Sequence, residues 1–281
     1  MAPAAAVPEK LKKTADRRAS MSSSLKCFEA LELLASQPYE FPLSEIAAEL
    51  TLPVASVHRI MKTLCMAGVA EQHSRTRWYR LTSRTLWIGT GYLRRSAVYR
   101  AAFVVLQEMA RKCYAQGLNQ ALTYLATIDS DQVLYLHTVG NPGALHLYAN
   151  TGERRPMHST GLGKALLAFQ PPEVADRVLS RKLAKHGPNT ITTAAELRED
   201  LSAIRKRGYS IDEEENVQGT RCVAAPILDQ SGQAVAAMSI SAPVAAFRLE
   251  MTEQYSLIVR EAALRVSVQI GYRSRSSHIL A

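Results

Sequence analysis

Two rhythms of apolar residues run along this chain, and the change between them divides it. From Ser22 to Ala35 the spacing is helical, with Leu25, Phe28, Leu31, Leu34 and Ala35 predicted on one face. Gln37-Pro38 ends that segment. A second, short helix is predicted to run through Leu50, with Leu43, Ile46, Ala47 and Leu50 on its inner side. Thr51-Leu52-Pro53 breaks it, and Pro53 suits the first turn of a third helix, Val54 to about Met66, which Gly68 stops. Val69, Glu71, Trp78, Arg80 and Leu81 then bracket the polar turn His73-Ser74-Arg75-Thr76, which predicts a hairpin. Leu86, Ile88, Tyr92 and Leu93 mark a connector helix, and a longer helix follows over about Tyr99–Gln116.

After Gly117 the pattern becomes strand, strand, helix. Ala121–Ile128 and Gln132–Val139 read as strands joined by the tight turn Asp129-Ser130-Asp131, with Leu145–Ala149 as a further strand. Thr160–Phe169, Pro172–Arg181 and Thr193–Arg207 read as helices. Tyr209–Asp212, Arg221–Leu228 and Ala234–Ser241 read as strands, the last two joined at Asp229-Gln230-Ser231-Gly232. Thr252–Tyr272 closes the pattern as a helix. Adjacent strands joined by hairpins and mixed with helices predict an α+β chain whose sheet is mostly antiparallel.

Composition adds limits. The 281 residues suffice for two domains, and 47% hydrophobic residues give each a core. No apolar run reaches the ~18 residues of a bilayer span. Met1–Val7 lacks a basic stretch followed by an apolar one, so no secretory signal is expected. Cys27, Cys65, Cys113 and Cys222 are scattered, which fits free thiols in a reducing compartment such as the cytoplasm and suggests neither a disulfide framework nor a zinc ribbon. The net charge of +9 is uneven: 14 Lys and Arg stand against 8 Asp and Glu up to Arg95, and 20 against 17 beyond it. A phosphate-binding partner for the first third explains this, and so does a solvated basic surface. Residues 1–20 read as a disordered basic arm.

The third helix carries more specific chemistry. Val57, Ile60, Met61 and Leu64 form its apolar stripe, and Ala55, Ser56, His58, Arg59, Lys62 and Thr63 occupy the other side without a carboxylate. A helix entering a DNA major groove needs that composition, because carboxylates repel phosphate while Ser, His and Arg bond to bases. An ordinary three-helix unit with a polar outer face gives a similar pattern. The helix pair and the hairpin carrying Arg75, Arg77 and Arg80 favour a winged helix-turn-helix, with Ser44, Ala55, Ser56, His58, Arg59, Lys62, Arg75 and Arg77 as candidate DNA-binding residues.

These residues also resemble a known family. Leu43-Ser44-Glu45-Ile46-Ala47, Leu52-Pro53, Ser56, Val57-His58-Arg59 and Leu64 resemble the N-terminal domain of IclR-type bacterial regulators. So do Pro156 to Ala165, Arg207-Gly208-Tyr209, Asp212-Glu213-Glu214, Gly219, Arg221 to Pro226 and Ser239 to Pro243 further along. The resemblance implies a winged helix domain over residues 21–82, a linker helix over 83–96 and a GAF/profilin-like α/β effector domain over 97–272, before a tail at 273–281. It implies dimers or tetramers on a pseudo-palindromic operator in double-stranded DNA, commonly repressing a catabolic operon under control of a small organic acid. Activation is the alternative sign of control. No cofactor, metal or membrane is expected.

Candidate effector contacts combine chemistry with resemblance. The turn from His158 to Lys164 leads into a helix whose glycines leave N–H groups free, although a well-capped helix with close packing at Gly163 reads the same way. Ser239 and Ser241 share one strand face, with Ile240 on the other, and Cys222 opens the adjacent strand. By resemblance Asp212, Cys222, Ser239 and Ser241 converge on the effector. Gly161 and Leu162 donate backbone N–H groups, and Ala144, Leu145 and Leu147 form an apolar lid. Two departures from the family pattern stand out: the wing turn has no glycine, and Thr220 occupies a position where relatives more often carry an apolar residue. Thr220 therefore joins the candidate contacts. Cys222 with Asp212 and a histidine (His137, His146 or His158) offers a thiol enzyme or redox sensor as another class, but no nucleophile elbow, HxxxH spacing or Walker loop accompanies it. The chain is expected not to be an enzyme.

Overall fold

A computed structural model describes residues 23–140 and 151–273, and the chain divides into two compact units between Arg95 and Ser96. The expected basic arm, the strand Leu145–Ala149, the lid residues Ala144, Leu145 and Leu147, His146 and the tail beyond residue 273 lie outside the described residues.

The first unit contains α1 (Ser23–Ala35), α2 (Leu43–Leu50), α3 (Val54–Met66), the hairpin β1 (Ala70–Gln72) and β2 (Tyr79–Leu81), and α4 (Ser83–Arg95). Its core gathers Ala30, Leu33, Leu34, Ile46, Leu50, Val57, Met61, Leu64 and Tyr79. The inner face of α1 differs from expectation. Ala30, Leu33 and Leu34 are buried, whereas Leu25 and Phe28 are exposed. Thr51 takes a left-handed φ of 52° to close α2, and Pro53 is the N-cap of α3 rather than part of its first turn. Gly68, at φ 70°, ends α3, with Val69 N–H returning to Leu64 O at 3.1 Å. Helix α4 buries none of its residues, and Leu86, Trp87, Ile88 and Tyr92 are exposed on it.

The second unit is built on a six-stranded antiparallel sheet of order β5-β4-β3-β8-β7-β6. Its strands are β3 (Leu122–Asp129), β4 (Gln132–Gly140), β5 (Arg154–Pro156), β6 (Ser210–Glu213), β7 (Thr220–Leu228) and β8 (Ala234–Pro243). The helices are α5 (Ala97–Ala115), α6 (Gly161–Ala168), α7 (Pro172–Leu179), α8 (Ala194–Arg207) and α9 (Thr252–Gln269). Strand β5 shows no alternation in its sequence and was not expected. It is a short, charged edge strand ending in proline, a composition that blunts further pairing.

Helices cover both faces of the sheet. Leu162, Leu166, Leu197 and Leu201 of α6 and α8 pack with Leu122, Tyr124, Cys222 and Ala224 on one face. Helices α5 and α9 pack on the other, where Thr123 Oγ1 donates to Leu106 O at 3.3 Å and Leu228 N–H donates to Ser267 Oγ at 2.9 Å.

Candidate functional site

In the first unit, most of the candidate DNA-binding residues are exposed. Val57, Ile60, Met61 and Leu64 are buried, while Ala55, His58, Arg59 and Lys62 are exposed and Ser56 is half-buried. Ser44, on the first turn of α2, is exposed. The hairpin solves its missing glycine with two other devices. Arg77 adopts a φ of 63°, and the His73 imidazole Nδ1 accepts from the N–H groups of Arg75 and Thr76 at 3.3 and 3.2 Å. Arg75 and Arg77 are exposed at the tip. Arg80 is engaged elsewhere: it pairs with Glu71 at 2.6 Å and Glu40 at 3.1 Å, so it braces the hairpin's base instead of offering a cation.

In the second unit, strand register brings together most of the predicted effector residues. Asp212 stands opposite Cys222, Cys222 opposite Ser241, and Ser241 opposite Leu122. One step along, Ala224, Ser239 and Tyr124 form the next row on the same face. Thr220 belongs to this face too, beyond Cys222 on β7. Helix α6 begins directly above. A Cβ built on Gly161 would lie 2.9 Å from Cys222 Sγ and 3.6 Å from the Cβ atoms of Ala224 and Asp212. Thr160 caps the helix by accepting from Gly163 N–H at 3.1 Å. Gly163 serves close packing, since a Cβ there would meet Met157 O at 2.3 Å. The Leu162 side chain lies in the core.

Electrostatics separates these groups. Asp212 Oδ1 accepts from the N–H groups of Glu215 and Asn216 at 2.8 and 3.4 Å, holding the loop after β6. Burial still raises its carboxyl to about 6, against the opposing pull of those amides, Gly161 N–H and Lys164. Burial, and then the charge of Asp212, push the Cys222 thiol up to about 12, although the hydroxyls of Ser241 and Ser239 would favour a thiolate. A nucleophilic or redox-sensing cysteine needs the opposite shift. Ser239 Oγ is fully buried beside the Cys222 thiol, and among the described residues neither it nor the buried Thr220 Oγ1 has an oxygen or nitrogen partner.

Sequence reasoning missed the charged group behind this face. Lys164 is only 1% exposed, and its ammonium contacts Glu215 at 2.5 Å and Asp200 at 2.8 Å. Burial raises Glu215 to about 7, opposed mainly by Lys164. A signal was present: every residue of α6 is buried, and Lys164 is its one charge, which demands a partner. Nothing in Glu213-Glu214-Glu215 tells which carboxylate supplies it. His158 also sits nearby, with Nε2 2.9 Å from Ala184 O, and burial lowers its pKa. Among the described residues no cluster of three or more His, Cys, Asp or Glu is placed to hold a metal ion, and no helix is long and apolar enough to cross a membrane.

Known proteins share this arrangement. Residues 25–74 match the IclR helix-turn-helix domain, and residues 90–268 match the family described as Bacterial transcriptional regulator IclR C-terminal. The HTH-type transcriptional regulator KdgR of Escherichia coli is 30% identical over 254 residues, spanning 90% of this chain and 94% of that protein. The transcriptional repressor IclR of the same organism is 28% identical over 262 residues, or 92% and 93% of the two chains. A solved IclR homolog from Microbacterium hydrocarbonoxydans, complexed with 4-hydroxybenzoate, superposes with a TM-score of 0.75 at 26% identity, covering 89% of this chain and 99% of that one. These relatives are transcriptional regulators and not enzymes. With a matching DNA-binding unit in front of a matching C-terminal unit, the chain belongs to the IclR family of ligand-responsive, DNA-binding transcriptional regulators.

Proposed function

We propose that this regulator represses a catabolic operon by binding a pseudo-palindromic operator, and that a small organic acid seated on the Cys222 face of the sheet controls it. The observation that carries the effector half is Ser239. Its hydroxyl is fully buried and, among the described residues, has no oxygen or nitrogen partner, beside Ser241, Cys222 and Asp212. Buried polar atoms are nearly always satisfied, and a ligand oxygen would satisfy this one. The solved relative that holds 4-hydroxybenzoate supports an acid as the ligand, and the relative named as a repressor supports the sign of control.

On the DNA side, Ser56, His58 and Arg59 read base edges while Lys62, Arg75 and Arg77 meet phosphate. Their exposure on one helix and one hairpin tip supports these roles. Ser44 and Ala55 approach the backbone where α2 and α3 begin. Exposed Leu86, Trp87, Ile88 and Tyr92 on α4 support a homodimer or homotetramer, since clustered apolar surface of this kind favours burial between copies. The double variant Ser239→Ala/Ser241→Ala tests the assignment. It should bind operator DNA like the wild type and lose its response to the acid. A normal response in that variant removes the effector from this face.

A further inference from the structure

The hairpin between β1 and β2 carries an aromatic ring that none of the candidate DNA contacts includes. Trp78 is 44% exposed, whereas its neighbour Tyr79 is 4% exposed and belongs to the core of the first unit. Strand alternation puts Trp78 on the outer side of the hairpin, the side of exposed Arg80. The backbone there is held at several points. Trp78 O accepts from His73 N–H at 2.8 Å, Trp78 N–H donates to Thr76 Oγ1 at 3.3 Å, and Arg77 N–H donates to His73 O at 3.0 Å. With the His73 ring also accepting from Arg75 and Thr76, the tip is shaped before any partner arrives.

The charges around this ring select its partner. Glu40 and Glu71, the carboxylates beside the hairpin's base, are both engaged by Arg80, at 3.1 and 2.6 Å. Arg75 and Arg77, just ahead of Trp78 in the turn, are exposed. Arg77 stands at φ 63°, a conformation that is unfavourable for a residue with a side chain and that glycine adopts freely. A cation is therefore kept where the backbone favours its loss, and such outliers gather at functional positions. An open ring next to two exposed cations suits a polyanion with apolar surface between its charges. A DNA strand is that: successive phosphates are joined through a deoxyribose, and proteins contact both.

We propose that Trp78 packs its indole on a deoxyribose beside the phosphates held by Arg75 and Arg77, adding an apolar, sequence-tolerant contact to the wing. This rests on the DNA-binding role of the hairpin, and the two ideas can fail separately. Packing of this kind removes apolar surface from water and releases no counterion, so it adds affinity that salt does not weaken. The cations at the tip set the salt dependence, and the ring supplies a share independent of salt.

Fluorescence titration of the full chain with two duplexes, one of mixed sequence and one from upstream of its own gene, tests it. Trp78 and Trp87 are the chain's two tryptophans. Either duplex should shift the wild-type emission to the blue. The shift should be absent in Trp78→Phe, which keeps a ring and should bind within roughly twofold of the wild type. Trp78→Ala should bind both duplexes about tenfold more weakly with an unchanged salt slope, the effect of leaving roughly 50 Å² of apolar surface in water. Emission that DNA does not move, or Trp78→Ala as tight as the wild type while Arg75→Ala is weaker, overturns the ring contact and leaves the basic wing standing. A loss confined to the gene's own fragment overturns it in favour of a base contact. An emission shift that follows protein concentration without DNA overturns it in favour of contact between copies. If the wild type binds neither duplex, the ring contact and the DNA-binding role of the hairpin fall together.

Discussion

Gly161 sits over the sulfur of Cys222 so closely that a Cβ on it would lie 2.9 Å from Sγ. The first turn of α6 therefore rests on the floor of the candidate effector site, and any side chain at 161 must lift the helix or turn the cysteine. Gly161→Ala is expected to destabilise the C-terminal unit by about 1–3 kcal/mol, the usual cost of overpacking, and to weaken acid binding. Thermal unfolding and titration calorimetry check both, with operator affinity unchanged. Gly163→Ala should cost more, because its Cβ would meet backbone, Met157 O, at 2.3 Å instead of a movable side chain.

Lys164 is a second dependency between α6 and the loop after β6. Its ammonium has Glu215 at 2.5 Å and Asp200 at 2.8 Å, and the side chain is almost fully buried. Lys164→Met strands the carboxylates and is expected to cost about 3–5 kcal/mol, the penalty for breaking a buried pair. Lys164→Met/Glu215→Leu should recover part of that loss, because Asp200 keeps Arg207 at 3.4 Å. Denaturant unfolding of the three proteins measures it; a double variant no more stable than the single one refutes the pairing argument.

The same cluster sets a pH dependence. Burial raises Asp212 from 3.8 to about 6 and Glu215 from 4.5 to about 7. Across that window the folded chain holds protons that the unfolded chain has released, so this contribution to stability is complete at low pH and is lost as pH rises through about 6 and 7. His158 and His186 act oppositely, because burial lowers both below 6.5 and their neutral forms favour folding as pH rises. The Glu215 share is isolated by comparison with Glu215→Gln. Unfolding free energy should fall less steeply with pH in the variant between about pH 5 and about pH 7. Equal slopes would contradict the raised Glu215 carboxyl.

How much of this was legible depended on whether a pattern was local. Helix α3 was readable because four apolar positions repeat at helical spacing and Gly68 ends them. Strand alternation put Ser239 and Ser241 on one face, whereas the meeting of Asp212 and Cys222 with them followed only from the family resemblance, because register between strands is not written in any one of them. Strand β5 was not, since Arg154-Arg155-Pro156 is an edge strand made by pairing with Gln132–Leu134 and has no period of its own. The inner face of α1 was misjudged because two adjacent apolar stripes compete there, and tertiary packing chose Ala30 and Leu33 over Leu25 and Phe28. The hydroxyls of Thr220 and Ser239 could be named from sequence, but that neither has an oxygen or nitrogen partner among the described residues appears only in three dimensions.

The basic residues of the wing divide into two kinds, and this gives a DNA prediction. Arg59→Ala should weaken operator binding by about 1–3 kcal/mol, the worth of a good base contact. Arg75→Ala should weaken binding on all sequences and reduce the salt slope by about one ion. Arg80→Ala should leave that slope unchanged, because its guanidinium already serves Glu71 and Glu40. Arg77→Gly should lose the cation yet keep the turn, since glycine accepts the φ of 63°. Fluorescence anisotropy across a salt series reads all four.

The central claim is that one chain reads DNA with its first unit and is switched by an acid bound in its second. Binding of the purified protein to DNA upstream of its own gene, at two salt concentrations and with a panel of organic acids, tests this most directly. The prediction is specific, salt-sensitive binding that one acid shifts, with the shift lost in Ser239→Ala/Ser241→Ala. Specific binding that no acid moves, or an acid response that survives the double variant, would contradict it.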